Sequence, residues 1–112
     1  GRVDLIWLPT DNTAMTAFAT IVKVMEDTGI PVIGATTEIA ELGGVAAIGF
    51  DYYDVGFQTG VLTAQILKGA DPANTPVQLP TEIFYAINPD AAANIDIQLP
   101  PALIDRAELI YE

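Results

Sequence analysis

Ile48-Gly49-Phe50-Asp51-Tyr52-Tyr53-Asp54-Val55-Gly56-Phe57-Gln58-Thr59-Gly60 is the stretch in which the fold is most legible. An apolar run ends in an acid and two aromatics, and a helical pattern opens there with Gly56 and Gly60 four residues apart. Upstream, Leu5-Ile6-Trp7-Leu8-Pro9-Thr10-Asp11-Asn12-Thr13-Ala14 follows the same logic. In an open α/β sheet, ligands sit outside the carboxyl ends of the strands, where helices begin. Two polar junctions of this kind point to one lobe of a small-molecule binding protein.

Working outward, the chain reads as repeated strand–helix units. Val3 to Leu8 is a buried strand interrupted by Asp4, stopped by Pro9 and Thr10. Asp11 or Asn12 can cap a helix running to about Thr28, with Ala14, Phe18, Ile21 and Met25 on one face and Gly29 as its stop. Pro31 to Ala35 is a second strand, Glu38 to Leu42 a short helix, and Val45 to Phe50 a third strand. Asp51 can cap a helix from about Tyr53 to Lys68, ending at Gly69. Three such units imply a parallel sheet with right-handed crossovers. Residues 71–80 carry three prolines and read as a loop or edge segment. Glu82 to Asn88 is a further strand, and Asn88-Pro89 a helix start. Pro100-Pro101 opens a final helix with Leu103, Ile104, Ala107 and Ile110 as its stripe. The fold expected is α/β, a three-layer parallel sheet with helices on both faces.

At 112 residues the chain is long enough for one ordinary domain, and residues 1–112 read as a single α/β domain. Hydrophobic residues make up 51% of it, so a real core can form and disorder is not expected. The formal charge of −11 argues against nucleic acid or anionic lipid as partner, because both are met by basic patches. Its plain reading is solubility. Cysteine, histidine and serine are all absent, which removes Ser-His, Cys-His and histidine-based metal chemistry from this chain. Gly43-Gly44 lacks the lysine and spacing of a phosphate loop. No cofactor and no metal are expected. No apolar run is long enough to span a bilayer, and no basic-plus-apolar signal segment opens the chain. The first strand starts almost at residue 1, so its partner strands are expected in a longer parent or a second copy.

The candidate site residues are Thr10, Asp11 and Asn12 after the first strand, Thr36 and Thr37 after the second, and Asp51 and Tyr52 after the third. A carboxylate can receive an ammonium, free N–H groups at a helix start can receive a carboxylate, and a tyrosine offers a flat apolar face. Each position also has a simpler reading as a helix cap or turn. Gly56 and Gly60 are read as allowing close helix–sheet approach. Trp7 is read as core. Asp51 and Asp54 lie three apart at a helix start, where acids favour the dipole, so they read as electrostatic rather than catalytic.

These residues carry a resemblance to a known family. Leu8-Pro9-Thr10-Asp11-Asn12-Thr13, Gly29-Ile30-Pro31-Val32-Ile33-Gly34 and Gly49-Phe50-Asp51-Tyr52-Tyr53-Asp54-Val55-Gly56-Phe57-Gln58-Thr59-Gly60 occur in order. Ala64 to Ala73 and Leu99 to Ala107 follow. Together they resemble the carboxyl-terminal part of ABC-transporter substrate-binding proteins related to the tryptophan- and tyrosine-binding lipoproteins. The resemblance implies one lobe of a type I periplasmic-binding fold, with residues 80–112 as a closing segment that crosses to the other lobe or a second copy. It implies a small amino acid-like ligand, aromatic members included, held in an interlobe cleft without catalysis. It implies an ABC permease as partner and a periplasmic or extracellular, membrane-anchored parent. Ala35-Thr36-Thr37-Glu38-Ile39-Ala40 departs from the family, which carries small and acidic residues with serine and glycine there. Three other readings stay open: a ligand-sensing regulatory module of the same fold, a flavodoxin-like enzyme domain, and a ligand-free assembly module. A homodimer formed through uncovered apolar surface is also expected.

Overall fold

The strand Val32–Gly34, the helix Glu38–Glu41 and the strand Ala46–Gly49 pack closely, with no free room for a β-carbon on Gly34, Gly44 or Gly49. We number these β2, α3 and β3, after β1 (Ile6–Leu8), α1 (Asn12–Thr16) and α2 (Phe18–Thr28). A computed structural model describes residues 2–112. They divide into two compact units, one formed by residues up to Gly49 together with Phe84–Glu112, the other by Phe50–Ile83.

In the first unit, β1, β2 and β3 run parallel, with Ile6 opposite Val32, Leu8 opposite Gly34, and Gly34 opposite Ala47. β4 (Phe84–Ile87) lies antiparallel to β3, and β5 (Leu109–Ile110) parallel to β4. The sheet is thus five-stranded and mostly parallel, in the order β1-β2-β3-β4-β5, and flanked by helices. Its core joins Val32, Val45, Ala47 and Ala86 to Phe18 and Met25 of α2, Ile39 and Ala40 of α3, and Ala91, Ala92 and Ile95 near the helix α5 (Pro89–Ala93). Burying a side chain such as Met25, Ile39 or Val32 stabilises the fold by about 1.5–3 kcal/mol each.

Three glycines make this packing possible. A β-carbon on Gly34 would lie 2.9 Å from both Cβ and Cγ1 of Ile39. One on Gly44 would lie 2.7 Å from Ile39 Cγ2 and 2.8 Å from the Ile39 carbonyl oxygen. One on Gly49 would press within 3.1 Å of Thr36 Cα and Thr37 N. Bare backbone at all three positions lets α3 and the loop before it settle against the strands.

Several elements end differently from the sequence pattern. The first helix is broken at Ala17 into α1 and α2. The Thr16 hydroxyl donates to the Asn12 carbonyl at 2.8 Å, a local bond that competes with regular helix geometry. Gly29 takes the left-handed conformation that stops α2, φ 68°, as expected. The final helix, α6, is one turn, Pro101–Ile104. Leu109 and Ile110 do not extend it. They pair with β4, where the Glu108 N–H donates to Tyr85 O and the Tyr111 N–H to Ile87 O. The apolar spacing there fitted a helix, but open ladder positions on β4 outweighed it. Trp7 is 53% exposed rather than core. Alternation along β1 turns it away from the face that carries the hydrophobic core.

The second unit is built on α4 (Tyr52–Leu67), followed by a 3₁₀ turn at Pro72–Asn74 and an irregular stretch. No residue of α4 is buried. Within this unit a β-carbon on Gly56 or Gly60 would meet nothing within 4 Å. Among the described residues no helix is long and apolar enough to cross a membrane.

Candidate functional site

Because β1, β2 and β3 are parallel, their carboxyl ends share one edge of the first unit's sheet. Thr10, Asp11 and Asn12 leave from the end of β1, and Thr36 and Thr37 from the end of β2 next to it. The Ala35 N–H donates to Leu8 O at 3.0 Å and ties the two exits together. Five of the seven residues singled out in the sequence therefore sit at adjacent strand ends.

Their hydrogen bonding separates them. Asp11 Oδ1 accepts from the Ala14 N–H at 2.8 Å and caps α1, which leaves its second oxygen for a ligand. Thr10, Asp11 and Asn12 are exposed, whereas Thr36 and Thr37 are half-buried. Thr37 precedes α3 in right-handed helical conformation and makes no side-chain cap bond. The Thr36 hydroxyl oxygen is buried and has no hydrogen-bond partner. The Thr36 and Thr37 main chains are engaged: Ile39 N–H donates to Thr36 O and Ala40 N–H to Thr37 O, both at 3.1 Å. This edge presents a carboxylate, an amide and hydroxyls, with no basic side chain among the five residues. That combination suits a small zwitterion: the carboxylate meets an ammonium, while neutral donors meet an acid group.

Asp51 and Tyr52 open α4 in the second unit. Asp51 Oδ1 accepts from the Tyr53 N–H at 2.6 Å, so the capping role expected of it is present. Tyr52 and Tyr53 are exposed, and the Tyr52 ring meets Phe50 edge to face with centroids 5.4 Å apart. An exposed acid beside exposed aromatic rings is a surface an aromatic amine could use.

Sequence reasoning missed the part played by Gly49. Its available signal was a glycine at a strand end, which marks a close approach of backbone. It also missed the free hydroxyl of Thr36, which no sequence pattern encodes. Among the grooves elsewhere, one of about 370 Å³ lies between α4 and residues 72–78, and one of about 230 Å³ over Ile33, Ile48 and Tyr85. Neither is lined by a charged side chain. Among the described residues no three acidic side chains cluster as a metal site would require.

Residues 1–110 match the family described as ABC transporter substrate binding protein. A tyrosine-binding protein from Clostridioides difficile is 30% identical over 98 residues, which is 88% of this chain and 28% of that protein. The crystal structure of an ABC domain in complex with L-Trp from Streptococcus pneumoniae superimposes with a TM-score of 0.82 at 35% identity, over 97% of this chain and 37% of that one. A conserved domain protein from Vibrio cholerae gives 0.85 at 35% identity, with the same coverage. The chain thus spans about a third of the length of the proteins it resembles. With the parallel strand ends and their polar exits, these matches establish that the chain belongs to the ABC transporter substrate binding protein family.

Proposed function

We propose that the full-length protein is the solute-binding component of an ABC importer, that it takes up an aromatic amino acid, and that it catalyses no reaction. This chain supplies one wall of an interlobe cleft, and residues 80–112 act as the closing segment. The observation that carries the reading is the convergence of Thr10, Asp11, Asn12, Thr36 and Thr37 at adjacent ends of parallel strands, in a chain of this family. The names of two relatives, one tyrosine-binding and one solved with L-Trp, narrow the ligand class. Asp11 receives the ammonium, and neutral donors at the same edge receive the carboxylate. Closure of the lobes then displays a surface to a membrane permease, with the protein anchored outside the cytoplasm.

The ligand wall encoded here is only part of such a site, and small-molecule pockets bury most of their ligand. Binding is therefore a property of the full-length protein. Native mass spectrometry of that protein, purified without added ligand, tests the reading. The expected result is a bound mass exchangeable with L-tryptophan or L-tyrosine. A protein that retains neither amino acid at millimolar concentration contradicts it.

A further inference from the structure

β1 has the sequence of an interior strand and the position of an outer one. Leu5-Ile6-Trp7-Leu8 is a continuous apolar run, the pattern of a parallel strand covered on both faces. Yet β1 ends the sheet order, with β2 as its one neighbour among the described residues. The Ile6 N–H donates to Pro31 O and Leu8 O accepts from the Ala35 N–H, so Ile6 and Leu8 bond toward β2. Backbone groups alternate in direction along a strand, which turns the Trp7 N–H and C=O outward with no strand to meet them. The side chains repeat the contrast. Ile6 and Leu8 pack against the core, while Leu5 and Trp7 are exposed. Natural outer strands often carry a charge or a proline that prevents further pairing, and Ile6–Leu8 carries neither.

We propose that in the full-length protein a strand from outside residues 1–112 pairs in parallel with the outer edge of β1, takes up the Trp7 N–H and C=O, and places β1 inside the sheet. Three observations choose this occupant over a second copy of the chain. The relatives hold enough chain: the match covers 37% of each of two solved ones, and a parallel strand needs a crossover of about a dozen residues or more. Two copies joined about a two-fold axis would set β1 antiparallel to its mate, against a sequence that reads as parallel. Each copy also carries a formal charge of −11, which opposes their approach. The crossover that delivers a parallel strand is usually helical and lies over one sheet face. The face open beside β1 is the one bearing Trp7. Trp7 is then an anchor between this chain and the rest of its parent rather than a surface residue. The proposal rests on family membership and not on the identity of the ligand.

Amide hydrogen exchange of the full-length protein tests this, read beside light scattering over a dilution series. The Trp7 amide is expected to exchange as slowly as those of Ile6 and Leu8, in a monomer, at a rate that dilution leaves unchanged. In a nuclear Overhauser spectrum that amide should also contact a residue outside 1–112. Trp7→Lys gives an independent reading, because lysine suits an outer strand and not an interior one. It is expected to lower the melting temperature by about 6–10 °C, the effect of removing a covered tryptophan. The exchange and contact measurements use the unmutated protein and stand whatever the variant does. Fast exchange at Trp7 beside slow exchange at Ile6 and Leu8 overturns the proposal, as does a Trp7→Lys variant that melts with the parent. Protection lost on dilution, or a contact from Trp7 to a second copy, assigns the edge to a dimer and overturns it too.

Discussion

Glycines in the two units do opposite things. In the first unit, Gly34, Gly44 and Gly49 have neighbours where their side chains would be, and Ile39 fills the space left by the first two. In the second, Gly56 and Gly60 stand in the exposed helix α4 with open space around them within the unit. One set allows backbones to approach, and the other, within its own unit, loosens a helix. The difference teaches where the molecule is rigid. The loop carrying Thr36 and Thr37 is clamped between β3 and α3, while α4 buries none of its own residues.

That contrast is open to direct attack. The largest effect is expected from Ile39→Ala, which empties a fully buried position and should cost about 2–5 kcal/mol. At roughly 4–8 °C per kcal/mol for a domain of this size, thermal unfolding will register it clearly. Gly44→Ala comes next. Its new methyl meets a backbone oxygen that cannot rotate away, and overpacking of this kind costs about 1–3 kcal/mol. A variant as stable as the parent would show that α3 is less tightly seated than described.

Asn88→Ala should cost about 1–2 kcal/mol. Asn88 is buried, accepts from the Ala91 N–H at 2.8 Å, and donates to Ala40 O at 3.0 Å, so it joins the start of α5 to the end of α3. Urea unfolding of the full-length variant checks this. Gly56→Ala and Gly60→Ala reverse the sign. Each should stabilise α4 by about 0.5–1 kcal/mol, because alanine is the better helix former where nothing crowds it. Slower amide hydrogen exchange in α4 is the expected readout. Faster exchange would mean that these glycines face a close neighbour after all.

Much of this was legible because helix and strand junctions are written in local chemistry. Asp11, Asp51 and Asn88 announce caps, Gly29 announces a stop, and the apolar runs around Val32 and Ala47 announce strands. What failed depends on partners distant in sequence. Nothing in Phe84–Ile87 encodes that it runs against β3, since a four-residue apolar strand can pair in either direction. Leu109 and Ile110 have the spacing of a helix stripe and become a strand only because β4 offers them a ladder. Trp7 looks like core until alternation along an outer strand decides its face. The candidate site follows the same division. The residue types were visible at the strand ends, but the clamp at Gly49 and the unpaired Thr36 hydroxyl exist only once three strands are side by side.

The central claim is that the edge formed by the ends of β1 and β2 receives an amino acid. Amide chemical-shift mapping of the full-length protein, titrated with L-tryptophan and then L-tyrosine, measures this most directly. The account predicts that the amides of Thr10, Asp11, Asn12, Thr36 and Thr37 are among those that move most and saturate together. Saturable binding that leaves these five amides in place would contradict it.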